Sequence, residues 1–298
     1  MGRYTNPASC LQCLCVMSTG KVVCRLTEST HRISGITILD NKLYLLRVRD
    51  SDQIEIYDVV CPSPRFTLQR CLSLPRLYRD DWNDMTSSGK HLCLYVSNFS
   101  MNRIQRVDPD DGSVTLWPMP DPPCGLSMTR DDNLLVTFQE TRKPGKVLEI
   151  DGSGKCIRKV VFEEGVLWMW HAIEVRSSVP AQGQYVICHG YYDQHDHCVS
   201  LVGSDDGRKF RSYGGIPGAD ANQLYVPYHL AVDPDGFVFV ADHHNRRVVV
   251  LSAQLDFVSC VASRDNELKS QPRRLCYDVK SRLLYVGQDD GTLIALSF

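Results

Sequence analysis

Long apolar runs are missing from this chain. No stretch reaches the roughly 20 residues that a membrane-crossing helix needs, so no membrane partner is expected. Neither sign of charge is in excess: 33 Lys plus Arg stand against 35 Asp plus Glu. That removes the basic balance of a general nucleic-acid binder, and DNA is not expected as a ligand. The 13 cysteines form no framework of regularly spaced pairs. Their count is odd, and Cys93, Cys188, Cys260 and Cys276 sit inside apolar runs, where cysteine behaves as a small hydrophobe. Met1 to Pro7 form no clear signal peptide. Free thiols in a reducing, cytoplasmic setting are therefore expected.

Catalytic signatures are also lacking. There is no Gly-x-Ser-x-Gly elbow, no Gly-x-x-x-x-Gly-Lys phosphate loop and no His-Glu-x-x-His. Cys10-x-x-Cys13-x-Cys15 has no second Cys or His pair at a distance that would complete a four-ligand zinc site. Residues 1–20 are thus expected to be a poorly ordered leader. The run Cys188 to Cys198 holds His189, His195 and His197, but its spacing matches no zinc pattern, and it reads as a polar loop between strands. No enzyme, cofactor or metal is expected.

What is present is a repeat. Leu43-Tyr44-Leu45, Leu94-Tyr95-Val96, Leu134-Leu135-Val136, Gln184-Tyr185-Val186, Val238-Phe239-Val240 and Leu284-Tyr285-Val286 share one pattern. Their centres fall about 40 to 54 residues apart, the period of propeller blades rather than of short helical repeats. No sustained helical period competes, and β-branched and aromatic residues crowd the expected strands. The fold class is therefore all-β, a six-bladed β-propeller of four-stranded antiparallel blades spanning 21–298, with blade starts near 35, 84, 125, 171, 229 and 274. Blade five shows the unit most clearly. An inner strand His229 to Asp233 is followed by the turn Pro234-Asp235-Gly236, then by strands at Phe237 to Ala241, Arg247 to Leu251 and Asp256 to Val261.

Blade six offers only three strands before Phe298, while Lys21 to Leu26 is left unused ahead of blade one. An open ring would leave two unpaired sheet edges. The segment 21–26 is therefore predicted to supply the missing fourth strand and close the ring.

Two loops carry a family likeness. Val240-Ala241-Asp242-His243-His244-Asn245-Arg246-Arg247-Val248 and Val96-Ser97-Asn98-Phe99-Ser100-Met101-Asn102-Arg103-Ile104 each run from a strand through Asp or Asn to Asn-Arg and a new apolar strand. With Pro227 to Asp233 and its Pro-Asp-Gly turn, this resembles the NHL repeat, as found at the C-terminus of TRIM-NHL proteins. The resemblance is strong in blade five, moderate in blade two and weak elsewhere. It implies a recognition module for protein or RNA. The RING and B-box segments of the ligases are not in this sequence, so ligase activity is not carried over. Within the motif, Asp242, Asn245 and Arg246 are expected to fasten the loop.

In such a blade the loops between second and third strands share one face with the links between blades. The residues expected to contact a partner there are Arg47, Phe99, Arg142, Tyr191, Tyr192, Tyr228, Arg246 and Arg274. Aromatics beside arginines are the composition of protein interfaces. A protein or peptide partner is favoured, with RNA the alternative, because the acids on that face, among them Glu140, Asp242 and Asp289, oppose a polyanion. Aligning inner-strand starts puts Gly35, Asp84, Gly125, His171, His229 and Arg274 along the channel. Asp84 alone is too little for calcium, and His171 with His229 supplies two of the three protein ligands of a catalytic zinc.

Overall fold

A computed structural model describes residues 20–27, 31–48, 53–60, 65–74, 84–138, 143–163, 165–176, 183–191 and 196–298. Among these, every regular element is a strand, and no helix is long and apolar enough to cross a membrane. Twenty-four strands form six four-stranded antiparallel sheets. The inner strands are β2 (Ile33–Leu39), β6 (Met85–Ser88), β10 (Pro123–Met128), β14 (Met169–Val175), β18 (Pro227–Val232) and β22 (Pro272–Asp278).

The ring closes as the unused segment predicts. β1 (Lys21–Leu26) pairs antiparallel with the last strand, β24 (Leu293–Ser297), so that Lys21 faces Ser297 and Leu26 faces Leu293. Sheet six therefore runs β1-β24-β23-β22, with β23 spanning Leu283–Gln288. The closing strand also packs: Leu26 is buried beside Leu43, Leu45 and Tyr285, where blade six meets blade one.

The core lies between the blades. Along β3 (Lys42–Arg47), Leu43 and Leu45 face blade six, whereas Tyr44 and Leu46 face blade two. Along β19 (Val238–Asp242), Val238 and Val240 face blade four, and Phe239 and Ala241 face blade six. Successive strand residues point to opposite faces. Each blade is covered on both, which is why these strands read as unbroken apolar runs.

One irregularity recurs and positions the site. In blades one, four, five and six the pairing of the inner strand slips after its first residue, leaving Ser34, Trp170, Tyr228 and Arg273 outside the ladder. Blade three slips over Cys124 and Gly125. A bulge re-aims a side chain. Here Trp170 and Tyr228 meet at the seam between blades four and five, and the residues that follow the slip in blades four, five and six, His171, His229 and Arg274, turn into the channel.

Candidate functional site

The channel residues converge. Asp84 is fully buried, and its backbone N–H donates to Ser97 Oγ at 2.7 Å. Its Oδ1 accepts from Met85 N–H at 2.9 Å and lies 3.0 Å from Arg274 Nε. Its Oδ2 accepts from Leu126 N–H at 2.9 Å and from His229 Nε2 at 3.2 Å, with His171 Nε2 at 3.7 Å. The last approach needs a glycine: a Cβ on Gly125 would sit 2.2 Å from the Trp170 carbonyl oxygen and 2.7 Å from Thr137 Oγ1. The rings of His171 and His229 stack with centroids 3.8 Å apart. Arg274 Nε also donates to the Ser34 carbonyl at 2.6 Å. Blades one to six are thus tied across the axis by four side chains, Asp84, His171, His229 and Arg274, and two backbone groups, the Leu126 N–H and the Ser34 carbonyl.

Electrostatics decide what this cluster can hold. Burial alone would raise the Asp84 carboxyl, but Arg274 and the two imidazoles outweigh it and hold the group well below the usual carboxylate range. Burial drives His171 down to about 3, helped by neighbouring His229, and burial lowers His229 too. Both rings are therefore neutral. His171 Nε2 donates to the Leu126 carbonyl at 2.9 Å, and His229 Nδ1 accepts Leu275 N–H at 3.3 Å, leaving its Nε2–H for Asp84. Asp84, His171 and His229 have the side chains of a metal-binding trio, with ligand atoms within 4.8 Å of one another. Yet both Nε2 atoms carry protons in this network, and Arg274 already balances the one carboxylate. A divalent cation would add two charges beside that guanidinium. The arrangement fits an electrostatic brace better than a metal centre.

Above the brace, a row of rings crosses the loop face of blades four and five. Trp168 meets Tyr191 with centroids 4.9 Å apart, and Tyr191 meets Trp170 at 5.4 Å. Trp170 stacks on Tyr228 at 4.6 Å, and Tyr228 meets His243 at 5.2 Å. His244 and Tyr225 continue the row at 4.8 Å, and Tyr225 meets His197 at 5.3 Å. Trp168, Tyr191, Tyr225 and His244 are half-buried, while the inner members are buried. The inner end is locked by charge. Arg273 lies over the Tyr228 ring at 4.7 Å, donates to its hydroxyl at 2.9 Å and reaches Asp289 Oδ1 at 3.2 Å. Asp289 Oδ2 in turn pairs with His243 Nε2 at 2.8 Å. Burial would raise Asp289, but His243 and Arg273 hold it well below the usual carboxylate range. Two link residues beside the row, Trp168 and Val226, stand at φ 55° and 56°. A bulky or β-branched residue there costs about 1–3 kcal/mol. Val226 is held by its N–H, which donates to His197 Nδ1 at 2.8 Å.

The loop motif of blade five is a fastening, though by a different arginine from the one expected. Asp242 Oδ1 accepts Tyr225 N–H at 2.7 Å, and its Oδ2 accepts from Asn245 Nδ2 at 2.8 Å and Arg247 Nε at 2.6 Å. Arg247 donates onward to the Ala219 and Gln223 carbonyls. Arg246 instead stands exposed at φ 49°, the place that Asn102 fills in blade two at φ 48°.

Several residues expected at the partner face lie elsewhere. Arg47 is 1% exposed, with Nε on Glu55 at 2.7 Å and Nη1 on the His31 and Gly291 carbonyls, stapling blade one to blade six. Tyr228 and Arg274 are 4% and 3% exposed, in the stack and the brace. These three are struts, because bulges and a back-folded arginine turn inward what strand ends alone would point outward. His243, in the same loop as Arg246, is buried against Asp289. Tyr191 is half-buried within the row, Phe99 is half-buried, and Arg246 is exposed. Arg142 and Tyr192 lie outside the described residues. The Asp289–His243 pair and the role of Arg247 were missed by sequence reasoning. Their only signal is that the two loops hold the same place in successive blades.

No protein-family model matches the chain, and no curated protein matches it in sequence. Solved structures do match in fold. Virginiamycin B lyase from Staphylococcus aureus is 12% identical with a TM-score of 0.60, covering 94% of this chain and 99% of that one. The WD40 β-propeller domain of Doa1 is also 12% identical, with a TM-score of 0.61 over 94% and 97%. A protein of unknown function from Bacteroides caccae is 16% identical, with a TM-score of 0.61 over 83% and 82%. At these identities the likeness establishes a shared β-propeller fold.

Proposed function

We propose that the protein is a non-catalytic recognition propeller that binds a protein or peptide partner through the loop face of blades four and five. One observation carries the reading: the row from Trp168 to Tyr225 has open outer rings and inner rings fixed by Arg273 and Asp289. Rigid aromatics beside cations bind with little ordering cost. The NHL-like reading rests on the Asp242, Asn245 and Arg247 fastening and accords with a recognition role, as does the WD40 propeller among the structural neighbours. The test is affinity capture with the whole chain, the Tyr191→Ala and Trp168→Gly variants, and a Lys280→Ala control on the opposite face. A stoichiometric partner should be kept by the control and lost by the other two. Substrate turnover that disappears with His171 or Asp84 would overturn the reading.

A metal-dependent hydrolase or lyase is the second reading, favoured by the convergence of Asp84, His171 and His229. It requires Arg274 to withdraw and both Nε2 protons to leave. Elemental analysis tests it: stoichiometric zinc or calcium whose removal lowers the melting temperature would support it.

A further inference from the structure

Outside the aromatic row, an open groove of about 630 Å³ runs along the rim of blade five. Its walls come from the loop between β19 and β20 (Arg247–Leu251), the segment after β21 (Phe257–Ser263) and Gln271 ahead of β22. That volume lies in the range of ligand-binding clefts.

The groove's charge is lopsided. Three guanidiniums line it, from Arg246, Arg247 and Arg264, against one carboxylate, Asp265. Arg247 is already answered by Asp242 at 2.6 Å. Arg264 lies 3.5 Å from its neighbour Asp265, with both side chains exposed at 69% and 82%. Such an exposed pair is worth little and is readily exchanged. Arg246 has no ion-pair partner among the described residues and stands exposed. Its backbone gives a second, independent indication. At φ 49° an asparagine or glycine is easier to accommodate, and blade two has Asn102 there. An arginine at this position costs about 1 kcal/mol or more. Among the described residues no side-chain hydrogen bond or ion pair offsets that cost.

His244 belongs both to this groove and to the aromatic row, where it meets Tyr225. The two surfaces are therefore continuous. We propose that the groove takes an extended acidic segment of a protein partner, its carboxylates paired with Arg246 and Arg264 and an adjacent aromatic or apolar side chain set against His244 and Tyr225. This rests on the recognition reading above and names the chemistry of the partner. A peptide fits better than RNA. Asp265 lines the groove and Asp220 follows its wall residue Ala219, acids that would repel a long polyanion, whereas a short acidic segment neutralises only the local cations.

The test is fluorescence anisotropy with the full chain and three probes. These are an extended peptide library with Glu or Asp at alternate positions beside one Tyr, the same library with Gln and Asn in their place, and a single-stranded oligouridylate. The acidic library should bind at least about tenfold more tightly than its amide counterpart and weaken with added salt. Arg246→Asn should lose about tenfold in affinity while keeping or raising the melting temperature, since asparagine suits that backbone. Arg264→Glu should weaken binding as well. Equal binding of the two libraries, no binding by either, tighter binding of the RNA, or an unaltered Arg246→Asn variant would each overturn the proposal. A partner captured through the aromatic row, lost in Tyr191→Ala but kept in Arg246→Asn, would sink this inference and leave the recognition reading standing.

Discussion

Trp170 and Tyr228 stack with ring centroids 4.6 Å apart and planes 25° from parallel, although they belong to consecutive blades. Each is the residue that its inner strand leaves out of the ladder. The same slip in blade six sets Arg273 over the Tyr228 ring, 4.7 Å from its centroid. A displacement repeated in successive blades thus builds a stack that runs from blade four to blade six. It is the mechanical base of the proposed recognition face.

Removing a ring from this stack should be costly. Trp170→Ala and Tyr228→Ala should each lose about 3–5 kcal/mol of stability, because both side chains are buried. In a double-mutant cycle followed by urea denaturation, their coupling should be about 0.5–1.5 kcal/mol. Strict additivity would show that the rings do not act together.

Gly125→Ala should harm the fold from the channel outwards. The added methyl would meet the Trp170 carbonyl and the Cα of His171, backbone that cannot swing aside. The neighbouring Leu126 N–H would be pushed off Asp84. A loss of roughly 2–3 kcal/mol is expected, or about 4–12 °C in melting temperature for a domain of this size. A variant melting at the original temperature would contradict this geometry.

Acid should weaken the protein well above the pH at which Asp84 titrates, against a smaller opposing gain from Asp242, whose carboxyl burial raises to about 6. His171 is held neutral down to about 3 and His189 down to about 4, in both cases chiefly by burial, and His229 is lowered the same way. Unfolded, each would protonate near 6.5. The unfolded chain therefore binds more protons below that pH. Stability is complete above about 6.5 and falls by up to about 1.4 kcal/mol per unit for each such histidine as pH drops. Asp84 adds its own loss only lower, below the ordinary carboxylate value. Denaturant midpoints at pH 7.5, 6 and 5 should decline steadily, and His171→Gln should flatten the slope.

Deleting residues 20–26 should abolish sharp, reversible melting. It would bare the edge of β24 and remove Leu26 from the seam between blades six and one. Light scattering should rise on warming, and the melting transition should broaden. A deletion variant that melts as sharply as the intact chain, at the same temperature, would mean that closure contributes nothing.

The ring and its closure could be read from the sequence because they depend on local pattern. Apolar triplets at blade spacing, a Pro-Asp-Gly turn and one strand-like segment without a partner are enough to match Lys21 to Leu26 with β24. Listing inner-strand starts even brought Asp84, His171, His229 and Arg274 onto one axis. What escaped was the direction of side chains after the slip in register. Tyr228 and Arg274 were assigned to the surface because strand ends were counted as though the ladder were regular. The motif points to Arg246 as the fastening residue, whereas the positive-φ turn throws it outward and leaves Arg247 to hold Asp242. His243 found Asp289 because the two loops stand side by side in the ring, a relation visible only once the blades are superposed on one another.

The union of Lys21 with Ser297 also sets a timetable. At ribosomal speeds of about 5–20 residues per second, the first strand waits roughly 15 to 55 seconds for its partner to be made. Five sheets can assemble in that interval, but the sixth must remain one strand short. During each round of synthesis the nascent protein therefore passes through a nearly finished state with an open slot, and contacts so distant in sequence are slow to form. Whatever shields that slot in the meantime governs how much of the product matures.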